Sequence, residues 1–290
     1  MTAAPALAPG RTASLLAGRD FLAPTVQRAV ESLHLPAGAW VLDAGTGSGA
    51  ALPALARAAG GAGSVRAVDT DPDVLPLAAH HAAHHGMGAR VSVEHADLID
   101  VAGHAATARG GGFDAIWAGD VIGPSAFADP AAAVAVLTRA LRPGGVLALF
   151  HTHDQPVFLP GHAQLERLVR AAAERHRGAT PDGHNHHDRH LPWLQAAGLE
   201  RLTLDVFPRI GLRIETDRAA RIYLDTAVWP QMWESALACG PQVGMTENDL
   251  SDLHALTTPG GPRYVLDDPG YYILHPTVLA TGRRGRAGQR

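Results

Sequence analysis

The densest chemistry in the chain lies in one short run, Asp43-Ala44-Gly45-Thr46-Gly47-Ser48-Gly49, between an apolar strand and an apolar helix. Glycines at such a junction let the backbone approach a ligand closely, and the first turn of the helix adds free amide donors. The run also satisfies the dinucleotide-binding fingerprint as Gly45-x-Gly47-x-x-Ala50, where alanine is accepted in third place. Asp69, twenty positions past Gly49, suits ribose hydroxyls in either kind of nucleotide site. Three features separate the two kinds. Asp43 stands two residues before Gly45, where a carboxylate repels a diphosphate but suits a ligand with a positive centre and no phosphate. The glycines recur as Gly45-x-Gly47-x-Gly49. Asp97, after a third strand, can accept a hydrogen bond from an exocyclic amine such as that of adenine.

Histidine is the second source of chemistry, with 17 in the chain, enough to form clusters that need weighing. His151-Thr152-His153-Asp154 follows the fifth strand at its carboxyl end, where open α/β sheets bind ligands. His151 or His153 could act there as a general base, with Asp154 as orienter. A pocket histidine that only hydrogen-bonds is the plain alternative. His184-Asn185-His186-His187-Asp188-Arg189-His190 nearly spells the His-x-His-x-Asp-His motif of binuclear metallohydrolases. Arg189 stands where the last histidine belongs, however, and no strand precedes the run. His186 and His190, one helical turn apart, could bind a metal incidentally, or the loop could contact substrate at a pocket mouth. A solvated polar loop accounts for the run equally well, and no metal is assigned. His80, His81, His84 and His85 read as the outer, exposed face of a helix.

These residues need a scaffold, and the pattern around them supplies it. Ser14 to His34 reads as a helix after a disordered start over residues 1 to 12. Trp40-Val41-Leu42 is a first strand, Val65 to Val68 a second, Val91 to Val93 a third, Phe113 to Trp117 a fourth, and Val146 to Phe150 a fifth. Helices alternate with them. Asp71-Pro72 and Asp129-Pro130 each look like an N-cap followed by a proline in the first turn. Asp114 sits before its strand, away from the ligand-binding edge, and reads as structural. This alternation predicts a doubly wound α/β sheet. Leu202 to Phe207 is a sixth strand and Tyr271 to Thr281 a last one, with mixed helical patterns between them.

The bulk properties narrow the class. The chain has 290 residues, 46% hydrophobic and 18% charged, enough for one large domain with a full core. A net charge of −4 and no basic stripe argue against nucleic acid, since phosphate-binding surfaces concentrate positive charge. The arginines at 283, 284, 286 and 290 read as a solvated tail. The lone Cys239 fits a reducing cytoplasm. Pro5, Pro9, Gly10 and Arg11 interrupt any signal-peptide run, and no stretch has the ~20 apolar residues of a membrane helix. A lysine-free composition rich in Ala, Gly and Pro fits a GC-rich bacterial genome.

In register, these pieces resemble the class I S-adenosylmethionine-dependent methyltransferases. Val41 to Gly49 resembles their first motif, Val68-Asp69-Thr70-Asp71 the acid after the second strand, and His95-Ala96-Asp97-Leu98 the adenine-contacting motif. Phe113-Asp114-Ala115-Ile116 is similar to the fourth-strand motif, and Leu141 to Leu147 to the turn before the fifth strand. The resemblance implies S-adenosyl-L-methionine as cofactor, held by Asp43, Ala44, Gly45, Thr46, Gly47, Asp69, Thr70, Ala96, Asp97, Leu98, Gly119 and Asp120. Asp43 and Gly45 would face the methionine part, Asp69 the ribose, and Asp97 with Leu98 the adenine. Gly119 and Asp120 would lie beside the methyl group. It further implies a Rossmann-like seven-stranded sheet with an antiparallel last strand and a helical cap. Residues 1–38 would form an N-terminal cap segment, 39–207 the core, 208–268 a cap over the substrate pocket, 269–283 the final strand and 284–290 a tail. Trp229, Met232 and Trp233 could line that pocket, though core packing is the stronger reading for any one of them. The expected reaction is methyl transfer to oxygen or nitrogen of a small natural-product or quinone-like acceptor, with His151 and His153 as candidate bases. Methylation of a peptide, or a non-methylating reaction on the same fold, is the alternative. A dimer is compatible with the resemblance.

Overall fold

The computed structural model describes residues 9–107, 111–152, 155–178, 183–212 and 216–286. Six strands are met in chain order: β1 (Trp40–Ala44), β2 (Ser64–Asp69), β3 (Val91–His95), β4 (Phe113–Gly119), β5 (Leu141–Thr152) and β6 (Glu200–Val206). A short ribbon follows, β7 (Arg209–Leu212) with β8 (Tyr272–His275), before β9 (Thr277–Arg283) returns to the main sheet. The main sheet has seven strands in the order β3-β2-β1-β4-β5-β9-β6. The first five run parallel, and β9 lies antiparallel between β5 and β6. The order reverses at β1 and β4, so the crevice above their carboxyl ends is where this architecture binds ligands.

Alternation along the strands sends side chains into two apolar layers. One face, with Val41, Val65, Trp117 and Phe150, packs on α1 (Pro9–Glu31), α2 (Leu52–Ala58) and α3 (Leu75–His84). The other, with Leu42, Ile116, Leu147 and Leu149, packs on α4 (Leu98–Thr107), α5 (Pro130–Arg139) and, after α6 (Ala163–Arg177), on α7 (His190–Ala196). A third apolar cluster belongs to the cap. It joins α8 (Arg218–Tyr223), α9 (Trp229–Cys239) and α10 (Glu247–Thr257) to Phe21 of α1, to Phe158 and Leu159, and to Leu165 and Val169 of α6. The cap therefore draws in α6 and part of α1 as well as residues after β6.

Several local expectations are revised. The first helix starts at Pro9, not Ser14, because its first turn is docked: Arg11 pairs with Asp71 at 2.7 Å and Ser14 Oγ donates to Thr226 O at 3.2 Å. Asp71 does not cap α3; its carboxylate accepts from Asp73 N in a tight turn, and the helix starts only at Leu75. Asp129 does cap α5, accepting from Ala132 N. Asp114 has a structural role, accepting from Trp40 N and from Arg142, both at 2.8 Å. His81 is buried against α1 rather than exposed, and burial, followed by the charge of Arg19, pulls its pKa down to about 4. The last strand divides at Pro276, whose missing N–H cannot join a ladder, so β8 turns away to pair with β7. Arg283 and Arg284 are not a solvated tail, because their guanidinium groups cap the backbone carbonyls of Leu33 and Arg139. Among the described residues no helix is long and apolar enough to cross a membrane.

Candidate functional site

The glycine loop leaves β1 with three residues in left-handed conformation: Gly45 at φ +77°, Gly47 at +52° and Gly49 at +83°. They serve different ends. A Cβ on Gly45 would lie 2.7 Å from Val121 Cγ2, and one on Gly49 would lie 2.9 Å from Ala78 Cα. The first and third glycines therefore let protein pack on protein. A Cβ on Gly47 would meet nothing within 4 Å, so the middle glycine faces open space. Gly45 N and Thr46 N both donate to Val68 O, which ties the loop to β2. Gly47 N donates to Asp69 Oδ2 at 2.8 Å, and Asp71 N to Asp69 Oδ1 at 2.9 Å. Asp69 is thus fixed beneath the loop with lone pairs to spare on both oxygens.

Asp43 is buried, and its side-chain partner is the Thr46 hydroxyl at 2.7 Å. Burial raises its carboxyl, the Thr46 hydrogen bond opposes the rise and the charge of Asp69 adds to it, leaving a pKa of about 7. A carboxylate without a cation beside it is an electrostatic vacancy for a positive ligand. It opens onto a cavity of about 1050 Å³, mouth included, walled by Gly45, Thr46 and Gly47 on one side and by Trp117, Gly119 and Asp120 on another. Residues Arg11, Leu15 and Leu22 of α1 close the third side, a contribution that no local pattern in the sequence signals.

Of the residues expected to bind a cofactor, Asp43, Gly45, Thr46, Gly47, Gly119 and Asp120 share this cavity. Ala44 is a buried residue of β1. The others extend along the carboxyl edge of the sheet, past β2 and β3, and do not wall the same cavity. Thr70 is exposed, and its carbonyl meets His95 Nε2 at 3.0 Å. Ala96 N donates to Asp69 O, which brings the two turns together. Asp97 is exposed and accepts from Ile99 N at 2.7 Å at the start of α4, while Leu98 is buried in the core.

Asp120 sits at the end of β4 with φ +53°, an uncommon conformation for a residue with a Cβ. Three groups hold its carboxylate: Thr152 N at 2.6 Å, Thr152 Oγ1 at 2.7 Å and His151 Nδ1 at 3.3 Å. Burial works against its charge, but the His151 and Thr152 hydrogen bonds outweigh it and hold the pKa below the ordinary carboxylate range. Asp120 remains 45% accessible from the cavity, whereas His151 is 18% accessible and walls neither cavity. The ring of His151 points to the opposite side of the sheet, 4.2 Å from that of His187 and 5.7 Å from that of His190. Its Nε2 is buried without a hydrogen-bond partner among the described residues. Asp120 thus faces the first cavity and His151 lies behind it. His153 and Asp154 lie outside the described residues.

A second cavity, about 690 Å³ with its mouth, begins at Thr152 and runs between α6 and α9. Pro156, Phe158, Val169, Ala173, Val228 and Met232 give it apolar walls. Met232 lines it as expected, but Trp229 is core and Trp233 packs against the cap cluster. Two polar groups at its inner end were not foreseen, Tyr223 and His275. Burial, then the charge of Asp120, pushes the Tyr223 phenol up to about 12, and burial pulls His275 down to about 4. Both therefore stay neutral near pH 7, and His275 Nδ1 has no partner among the described residues.

Comparisons with known proteins agree with this geometry. Residues 41–145 match the family model of a methyltransferase domain. None of the curated proteins compared matches the chain. Among solved structures, one described as a methyltransferase from Bacillus halodurans C-125 is 18% identical, with a TM-score of 0.50, over 90% of this chain and 98% of that one. A S-adenosylmethionine-dependent methyltransferase from Thiobacillus denitrificans, in complex with S-adenosyl-L-homocysteine, is 17% identical over 96% and 100%, with a TM-score of 0.48. The [4+2]-cyclase SpnF is 20% identical over 92% and 81%, with a TM-score of 0.47. At 18% identity the likeness to the first speaks for the fold alone. The family model, though, spans the glycine loop and Asp43, Asp69, Asp97 and Asp120 in order, and over these residues the chain carries a methyltransferase domain.

Proposed function

We propose that the enzyme methylates an oxygen or nitrogen of a small, largely apolar acceptor, natural-product or quinone-like, held in the second cavity. The observation that carries this reading is the Asp120–Thr152 pair. Asp120 walls the first cavity, Thr152 walls the second, and two short hydrogen bonds join them. The two spaces meet at one carboxylate.

The donor set of the first cavity fits the cofactor, because the buried Asp43 carboxyl and the ionised Asp120 face it while no phosphate-binding cation is free there. Arg11 is engaged by Asp71, and Arg19 by Asp20. Asp43, Ala44, Gly45, Thr46 and Gly47 would hold its methionine part, Asp69 and Thr70 the ribose, and Ala96, Asp97 and Leu98 the adenine. Gly119 and Asp120 would stand beside the sulfonium. When bound, S-adenosyl-L-methionine supplies an electrophilic methyl group on a cationic sulfur. The protein's own work is then mainly positioning. Asp120 accepts the acceptor's O–H or N–H and offsets the positive charge that grows on the acceptor atom as its new bond forms. His151 fixes the carboxylate from behind and is a positioning residue. Tyr223 and His275, both neutral, offer hydrogen bonds at the inner end of a chamber whose walls are largely apolar, with Glu166, Arg170, Arg177 and Gln231 also lining it.

Formation of S-adenosyl-L-homocysteine with a panel of apolar phenols and amines tests the reaction, and Ala173→Trp tests the location. Filling the second cavity is expected to abolish turnover while calorimetry finds cofactor affinity unchanged. Wild-type turnover in that variant would remove the second cavity as the acceptor site.

A further inference from the structure

The His184–His190 run finds no use in methyl transfer, yet the fold organises it. Trp193 Nε1 donates to His184 O at 2.8 Å, Asn185 Nδ2 to Ala128 O at 3.0 Å, and the His190 ring meets Ile122 O at 3.3 Å. The loop is thus tied to α7 and to the segment between β4 and α5. Between these ties, His186, His187 and Asp188 each offer one ligand atom, all within 4.8 Å of one another. The separations are informative. His186 Nδ1 lies 3.4 Å from Asp188 Oδ2, and His187 Nε2 lies 3.7 Å from Asp188 Oδ1. Ligands about 2.1 Å from a tetrahedral cation stand about 3.4 Å apart; the two separations involve different Asp188 oxygens, and with the three ligand atoms within 4.8 Å of one another a small side-chain rotation brings them to first-coordination spacing.

We propose that His186, His187 and Asp188 form a site for one transition-metal cation of the imidazole-preferring class, with Zn²⁺ or Co²⁺ as the working examples. Two imidazoles and one carboxylate suit these ions, whereas Mg²⁺ and Ca²⁺ require more oxygen ligands than the loop provides. Entry of the ion displaces the long hydrogen bond from Asp188 N to His186 Nδ1 at 3.2 Å. Three protein ligands leave a coordination position for water or another small ligand. The side chain of Asp188 is 62% accessible, so the ion has a path from solvent. The ring of His187 also packs against that of His151, which places the ion one imidazole away from the Asp120–His151 pair.

The test uses full-length, tag-free protein stripped by a chelator and titrated with Co²⁺ and with Zn²⁺. The expected result is one equivalent of metal, with visible Co²⁺ absorption bands of mixed nitrogen and oxygen ligation. Asp188→Asn and the double variant His186→Ala with Asp188→Asn should each weaken binding at least tenfold. The variant His80→Ala with His84→Ala, which removes exposed histidines of α3, should bind as the wild type does. Asp188 is exposed, so its single variant keeps the test valid even if the double variant fails to fold. Absence of stoichiometric binding, or equal affinity in wild type and Asp188→Asn, would overturn the proposal. Both readouts are independent of acceptor turnover.

Discussion

Asp43 titrates where the cell lives, and that makes it measurable. Its folded pKa of about 7 lies above the ordinary carboxylate value of about 3.9, so the folded chain binds a proton that the unfolded chain has released. Linkage then fixes the sign: between about pH 4 and pH 7 the cofactor-free protein loses stability as pH rises, and above that window the loss is complete. The Tm of the free protein should fall across this range, and Asp43→Asn should flatten that part of the profile. A cationic ligand favours the ionised carboxyl, so cofactor binding near pH 6 should release a proton. Calorimetry in buffers of different ionisation heat would detect it, and identical heats in all buffers would refute the assignment. Asp120 behaves oppositely, since His151 and Thr152 keep it charged. Asp120→Asn should cost about 10²-fold in turnover, and His151→Ala should cost less. Equal losses in the two variants would place His151 on the acceptor rather than behind the carboxylate.

Among the elements, the glycine loop separates folding from binding. Gly45→Ala meets Val121 at 2.7 Å in a left-handed backbone and should cost about 1–3 kcal/mol of stability, read by denaturant unfolding. Gly47→Ala shares the left-handed penalty of about 1–2 kcal/mol but meets no protein atom, so its distinctive effect should be weaker cofactor binding. If Gly47→Ala binds the cofactor as the wild type does, the open side of the loop does not face the ligand. The same loop was legible in the sequence because its signal is local: three glycines, one acid and an apolar strand within ten residues. The parallel strands were legible for the same reason, each a short apolar run ending at a turn. The helix start at Pro9 was not, because side chains far away in sequence decide it. Arg11 reaches Asp71, and Ser14 reaches Thr226. The second cavity was the least legible part. Tyr271 Oη bonds Phe158 O across 113 positions, and His275 belongs to an alternating strand pattern that gives no hint of a pocket.

For the molecule as a whole, α1 links the first cavity to the apolar cluster of α8, α9 and α10. Its Arg11, Leu15 and Leu22 wall the first cavity, while Phe21 stacks on Tyr223 at the inner end of the second. A ligand in the first cavity should therefore protect α1. Amide hydrogen exchange over residues 9–22 is expected to slow on adding S-adenosyl-L-homocysteine, and unchanged rates would show that the helix does not cover the cofactor. The placement of β9 has a different consequence. It pairs with β5 on one side and β6 on the other, and β6 has no other strand beside it among the described residues. During synthesis the ribosome delivers β6 more than seventy residues before its neighbour. Until Arg283 has emerged, the nascent chain presents two raw sheet edges, with apolar Leu204 and Val206 on the waiting strand. Stalled or truncated translation products of this enzyme should for that reason be captured by chaperones or aggregate, while the released full-length chain folds.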